Sequence, residues 1–531
     1  MDRRLSAPRV VQTRRGFIKL TGGAVLAAGG LPILEACSSS SSSSGSGTAT
    51  GLQTVIIANN QPIPSLDPDQ TAADVPFSAI MEICEPLLDY DTATRQIVPR
   101  LATSYSFVDA KTLELKLRSG VKFSNGEPFT ATAVQFTVNR TLSPATKSLQ
   151  SFLLTGVQGV EVVDDLTVRF HLSAPNVLLP QYLTIYPILP PKYTAANQEK
   201  LATALVGTGP YKLSGFQSGY QVSLTRNPSY WGTRAGFPNA GYRYIESSET
   251  QVSALLSGQI QIAANILPQQ AKSLAGNTAI KVESKPVLLL AYITLDAAGR
   301  TAKHGPMTNK LVRQALNMGA NIEGIIKDVL LGYGSPIGTI AHPAQFGYDS
   351  SIAPYAYDPR GAKQLLAQAG YADGLKLRMI SQTADITGQP EAAQAIQQNL
   401  AQIGVDLSLQ TMTDPSAVGA TVMGGTAGPL VQFGNAAGGV FDVAATWESF
   451  LTGNPFSYFA NPTFMQMYNQ QLGTIDPDQR KPILASMQQL LHEEAPAIFQ
   501  WAVDGIWGVS SKVNWPGYAG RADRLYTAKP A

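Results

Sequence analysis

The sequence predicts a mixed α/β body, and three observations carry that expectation. Some short segments alternate apolar and polar residues with a period of two, longer ones space apolar residues three and four apart behind Asp-Pro starts, and no internal repeat joins them into an array. The chain has 531 residues, 44% of them hydrophobic, which is enough for two or three domains with a large core. Only 14% of residues are charged, against about 25% in an average domain, so the surface leans on Ser, Thr, Asn and Gln. A formal charge of +2 exerts no strong pull toward nucleic acid.

The chain opens on a preface that differs from the rest. Arg14 and Arg15 precede an uncharged run from Leu20 to Leu34, the order of an export signal. Paired glycines and Pro32 break the run, and it falls short of the about 20 apolar residues a permanent membrane helix needs. Thr13-Arg14-Arg15-Gly16-Phe17-Ile18-Lys19 resembles the twin-arginine export consensus, and Leu34-Glu35-Ala36-Cys37 resembles a lipobox, with Glu35 where lipoboxes carry a small or apolar residue. Residues 1–36 therefore read as signal peptide and Cys37 as the lipidated new N-terminus. Acyl chains there would hold the protein on the outer membrane face, each buried methylene contributing about 0.8 kcal/mol. Residues 37–53, largely Ser and Gly, read as a flexible tether spanning about 20 Å.

In the body, Thr54–Ala58 reads as the first strand. Leu113, Leu115 and Leu117, and then Leu166, Val168, Phe170 and Leu172, alternate with polar residues as half-buried strands do. A short strand starts at Tyr211. Asp358-Pro359 caps a helix with Ala362, Leu365, Leu366 and Ala369 on one face and Gly370 as its stop. A second runs from Pro390 to Ile403, closed by Gly404, and a third starts at Asp476-Pro477 with Ile483, Leu484, Met487, Leu490 and Leu491 inward. The glycine-rich stretch from Met423 to Gly439 reads as a surface loop or a lid.

Catalytic patterns are missing from the chain. It contains no Gly-Lys dipeptide for a phosphate loop, no Gly-x-Ser-x-Gly elbow and no His-Glu-x-x-His pair. His171, His304, His342 and His492 are scattered singly, and His492-Glu493-Glu494 reads as a solvated helix face rather than a metal site. Beyond Cys37 only Cys84 remains, expected as a buried small apolar residue with no disulfide partner. Gly207-Thr208-Gly209-Pro210-Tyr211 lacks the glycine spacing of a dinucleotide loop and reads as a tight turn.

The last motif also carries a resemblance. Gly207 to Tyr211, followed by Arg226-Asn227-Pro228-Ser229-Tyr230-Trp231, resembles the signature of family 5 extracellular solute-binding proteins, the peptide and oligopeptide receptors of ABC importers. Leu66-Asp67-Pro68, Glu85-Pro86-Leu87-Leu88, Val98-Pro99-Arg100-Leu101-Ala102, Leu117 through Phe136, Val312 through Asn317 and Tyr357-Asp358-Pro359 through Tyr371 are similar in the same order. The resemblance implies a two-lobed periplasmic-binding-protein-like fold of class II, cluster C, with an extra subdomain in the first lobe. Lobe I would comprise residues 54–290 and 500–531 and lobe II residues 291–499, with the hinge where the chain crosses between them. It also implies a lipid-anchored, non-enzymatic, monomeric receptor without cofactor or metal, working with a separate permease and ATPase at the outer face of the cytoplasmic membrane.

Peptide-binding members place an aspartate after a tryptophan to meet the peptide ammonium. The matching stretch here, Phe441 to Phe450, lacks the usual acidic motif, which leaves Trp447 and Glu448 as candidates, with core tryptophan and surface acid as the plainer reading. Asn59 and Asn60 after the first strand are further candidates, or simply a turn. A non-peptide solute such as a metal chelate, haem or an oligosaccharide, and an exported lipid-anchored hydrolase, remain as alternatives.

Overall fold

The computed structural model describes residues 52–531 apart from 72, 383–385, 387, 436–438, 518–519 and 521–522. Arg14, Arg15, Cys37 and nearly all of the expected tether lie outside the described residues. The architecture turns on two long antiparallel strands, Ile280–Leu295 and Ala497–Ser510, paired from Ile280 opposite Ser510 to Thr294 opposite Ala497. At strand spacing the longer one runs for about 50 Å. Its ladder is irregular between Pro286 and Leu290, and again at Ala291–Tyr292 opposite Gln500.

Opposite ends of this pair carry different flanks. At the Ser510 end, Ile262–Ala263 pairs with Gly508 and Val509, and the sheet continues through Thr54–Asn59, Asn239–Tyr244, Gln221–Arg226 and Tyr211–Gln217. At the Leu295 end, Leu430–Asn435 pairs with Leu290–Leu295, followed by Leu375–Gln382 and Val405–Met412. Each flank has its own core. Val55, Ile57, Tyr211, Val222 and Tyr242 pack against Ala79, Ile80 and Ile83 of helix Asp74–Ile83, whereas Leu377, Met379 and Leu407 pack against Leu316, Ile396 and Leu400.

A second sheet, Ala102–Asp109, Thr112–Leu117, Thr167–Leu172 and Val157–Asp164 in spatial order, is covered by helix Ala131–Leu142 through Val134 and Val138. Its core runs on without a break to Leu290, Tyr292 and Phe499 in the middle of the long strands and to Trp447 and Leu484 beyond them.

Local signals place most elements. Leu113, Leu115, Val168 and Phe170 all point inward and are fully buried. The Asp358 carboxylate accepts from the amides of Arg360 and Gly361 at the start of helix Pro359–Gln368, and Asp476 caps Pro477–Glu494 through Asp478 and Gln479. Gly370 and Gly404 follow their helices with φ of 91° and 87°, the left-handed geometry that glycine adopts without strain. Leu484, Met487 and Leu491 are buried, while Ile483 and Leu490 pack at the edge of the same core.

Three expectations need correction. The stretch Met423–Gly439 is not a loop throughout: Leu430–Asn435 is a strand inside the main sheet, because its apolar residues fill the gap between two other strands. Of His492-Glu493-Glu494 only Glu493 is fully on the solvated face. The His492 ring stacks on Tyr355 at 4.5 Å with Nδ1 2.7 Å from the Gly338 carbonyl, and Glu494 pairs with the buried Arg313 at 3.1 Å. Finally, Gly207 and Gly209 do more than shape the bend into strand Tyr211–Gln217: they also serve close approach. A Cβ on Gly207 would lie 2.7 Å from Cys84 Cα, and one on Gly209 2.7 Å from the Ile83 carbonyl carbon, so this segment lies directly on the end of helix Asp74–Ile83. Cys84 is fully buried there, its Sγ–H directed at the Val206 carbonyl at 3.6 Å, and burial pushes its thiol pKa up.

Gly209→Ala should therefore destabilise the fold by about 1–3 kcal/mol, the usual cost of overpacking a closed contact. Urea denaturation would show a lower midpoint at unchanged slope; an unchanged midpoint would mean that the helix end yields freely.

Candidate functional site

The signature residues converge on one carboxylate. Glu85, directly after the buried Cys84, accepts from Tyr230 OH at 2.8 Å and Trp231 Nε1 at 2.7 Å, and pairs with Arg100 Nε at 2.7 Å. Arg118 stacks over the Trp231 ring at 4.5 Å. Segments far apart in sequence thus clamp the chain from Cys84 to Asp91, and with it the short strand Leu88–Asp91. That strand forms part of a cleft wall.

The cleft lies between helix Asp74–Ile83, which contributes Phe77 and Met81, the strand residues Asp89 and Tyr90, and Phe441 opposite. Thr184, Ile185, Gly439, Gly520 and Arg524 complete it, and the space between them leaves room for roughly one water. Tyr90 and Phe441 stack face to face with ring centres 4.4 Å apart, closing the cleft from its two sides. The cleft wall carries one ion pair. Arg524 Nη1 and Nη2 donate to the two oxygens of Asp89 at 2.7 and 3.0 Å, and Trp515 Nε1 holds the Arg524 carbonyl at 3.1 Å.

Behind this wall sit two acids deprived of water. Glu82, one residue past Met81, is fully buried, and burial pushes its pKa up to about 8; Tyr242 OH and the Tyr526 amide lie 3.3 Å from its Oε1. Asp523, beside Arg524, is raised to about 7 by burial and by the neighbouring Asp74. Both groups favour the neutral form in the folded state.

The four residues expected from sequence lie elsewhere. Asn59 ends its strand at 2% exposure, with its carbonyl accepting from Ile245 N and its Nδ2 without a hydrogen-bond partner among the described residues. Asn60 follows it on the surface. Trp447 is fully buried, donating from Nε1 to the Ile340 carbonyl at 2.6 Å. Glu448 is half-buried and accepts from Tyr182 OH at 2.6 Å, and burial raises its pKa. Trp447 and Glu448 stay neighbours, the asparagines sit in the other flank of the sheet, and none of the four lines the cleft. Sequence reasoning missed Asp89 and Arg524, which are 435 positions apart. In the sequence Asp89 directly follows the Glu85–Leu88 motif, and Arg524 has no motif near it.

The comparisons with known proteins agree on one family. The family model described as bacterial extracellular solute-binding proteins, family 5 Middle, matches residues 96–472. The glutathione-binding protein GsiB of Pectobacterium atrosepticum is 30% identical over 368 residues, covering 67% of this chain and 69% of that protein. Among solved structures, the periplasmic binding protein DppA of Helicobacter pylori in complex with the peptide STSA superposes with a TM-score of 0.74 at 24% identity, over 90% of this chain and 98% of that one. NikA of Brucella suis in complex with Fe(III)-EDTA gives 0.79 at 23% identity, over 90% and 100%. The two-lobed periplasmic-binding-protein fold follows from these superpositions.

A titration of stability would test the buried acids. Because Glu82 is held well above its ordinary 4.5, the stability it contributes is complete below that pH and is lost as pH rises through about 8. The thermal midpoint should fall between pH 5 and pH 8.5, and Glu82→Gln should flatten the decline, leaving the part due to Asp523. A wild-type midpoint that rises over this range would contradict the assignment.

Proposed function

Since this chain belongs to the bacterial extracellular solute-binding proteins of family 5, we propose that it is the substrate-binding subunit of an ABC importer, capturing peptides outside the membrane and delivering them to a permease. The observation that carries this reading is the Tyr90–Phe441 stack across a nearly closed cleft. Its partners come from the two parts of the chain that the long strands connect. A gap that admits roughly one water takes up a peptide only after those parts move apart, so binding is coupled to opening and closing.

In this reading residues 54–290 and 500–531 form one lobe and residues 291–499 the other. The hinge lies in the ladder irregularities at Pro286–Leu290 and around Gln500, where bending breaks the fewest regular hydrogen bonds. Closure draws on contacts across the halves: the aromatic stack, the Tyr182–Glu448 hydrogen bond and the main-chain bond from Val177 N to the Leu472 carbonyl. Ligand contacts made only in the closed form add to these and shift the equilibrium. No step of this cycle alters the ligand covalently. Arg14 and Arg15 direct export, lipid on Cys37 anchors the monomeric receptor to the outer face of the membrane, and the tether keeps it near its permease and the associated ATPase.

Thermal shift with glutathione and with di- and tripeptides should raise the midpoint by several degrees, and mass spectrometry should recover the ligand unchanged. Stabilisation by oligosaccharides, haem or metal chelates but by no peptide would move the receptor to another solute, and turnover would replace it with an enzyme. Cys37→Ser should shift the protein in its bacterial host from the membrane fraction to the soluble one; retention in the membrane would remove the lipid anchor from the account.

A further inference from the structure

Phe441 meets Tyr90 in the cleft from an irregular segment that runs from Gly439 into helix Val443–Thr446, and its neighbour Asp442 is buried behind it. The Asp442 carboxylate, 1% exposed, accepts from Arg480 Nη1 at 2.6 Å and Nη2 at 2.9 Å, and caps the helix through the Ala444 amide at 3.0 Å. Arg480, 5% exposed in helix Pro477–Glu494, is fixed in turn. Gln471 of helix Pro462–Gly473 accepts from its Nε at 2.8 Å and from its Nη2 at 2.6 Å. Phe346 brackets the same segment, its amide donating to the Phe441 carbonyl at 2.9 Å and its carbonyl accepting from Val443 N at 3.2 Å. Gln345 Nε2 donates to the Asp442 carbonyl at 3.1 Å, and the Arg480 guanidinium lies over the Phe346 ring at 5.4 Å.

With three donors on it and almost no exposure, the Asp442 carboxylate serves the chain and not a ligand. Neither it nor Arg480 lines the cleft. A pair buried this deeply is a weak source of stability, because desolvation of the two charges offsets their attraction. Its forked geometry instead fixes the place and orientation of what it holds. What it holds is the backbone beside Phe441, and a ring already ordered before the lobes close loses little further freedom at closure. Resting on the reading of this cleft as the ligand site, we propose that Arg480, through Asp442, is a positioning residue for solute capture. It keeps Phe441 where Tyr90 meets it, as Glu85 keeps the opposite wall.

Fluorine NMR of the full chain with 4-fluorophenylalanine at Phe441 reads the ring without any solute. The wild type should give one resonance, and its displacement by Tyr90→Leu identifies the stack. Arg480→Lys, which keeps the charge and loses the fork, should displace or split that resonance, and Gln471→Met should do so to a smaller extent. Calorimetric titration with trialanine and with glutathione should show Arg480→Lys binding whichever of the two the wild type binds about ten-fold more weakly. In a Phe441→Leu background the same substitution should change affinity by less than about two-fold, because the stack through which it acts is gone. An equal loss in both backgrounds overturns the proposal, and so does a resonance that neither Arg480→Lys nor Gln471→Met moves; both results leave peptide capture standing. If the wild type binds neither peptide, peptide capture fails and the positioning role with it, whatever the resonance does. Where Arg480→Lys does not fold, the resonance and the affinities of Gln471→Met decide by the same criteria.

Discussion

Everything in this molecule depends on the ladder between Ile280–Leu295 and Ala497–Ser510. Backbone amides and carbonyls in a sheet interior have to stay paired, so a strand pair of this length resists bending along most of its course. Pro286 has no N–H to give, and three residues between Pro286 and Leu290 lie outside the regular register. Near Gln500 the register shifts again, opposite Ala291–Tyr292, where Leu430–Asn435 already pairs with the long strand; the irregularity at Pro286–Leu290 lies between the ends where the two flanking sheets attach. The flanks join opposite ends of one pair, so in the proposed hinge motion a small rotation in its middle would be amplified at the cleft while the cores of the two flanks stay intact. The same constraint explains why the flanks bury separate clusters of side chains.

Glu85 shows what the signature motifs are for. Tyr230, Trp231 and Arg100 all bond to its carboxylate, and Gly207 and Gly209 let the preceding segment lie against the end of helix Asp74–Ile83. None of these residues lines the cleft. They hold in place the short strand from which Asp89 and Tyr90 do. A motif of this kind sets the geometry of a wall and leaves its chemistry open, so one scaffold serves solutes of different kinds. Family membership is legible from such residues, whereas the ligand is not.

The same division runs through the rest of the sequence. Helices beginning at Asp358 and Asp476 were readable because a capping carboxylate reaches amides only two or three residues ahead. Strands Thr112–Leu117 and Thr167–Leu172 were readable from alternation alone. What stayed hidden depends on partners far along the chain. His492 looks solvated until Gly338, 154 positions earlier, is seen against its ring nitrogen. Arg480 on the same helix is buried against Asp442, 38 positions away, and against Gln471. Leu430–Asn435 was masked by glycine-rich neighbours, which suggest a loop when composition outweighs the burial that sheet position demands. Asp89 and Arg524 combine both difficulties, being distant in sequence and free of any local pattern.

The closed cleft also bears on affinity. Its charges are already paired with each other and its aromatic rings already stacked, so, with the cleft as the proposed ligand site, an arriving ligand would not fill a site of unmet contacts. It exchanges internal contacts for its own, and only the difference appears as binding free energy. An apolar side chain loses little in such an exchange, because Phe77, Met81 and Phe441 offer surface without direction. The Asp89–Arg524 pair is different, since a partial replacement is worse than none.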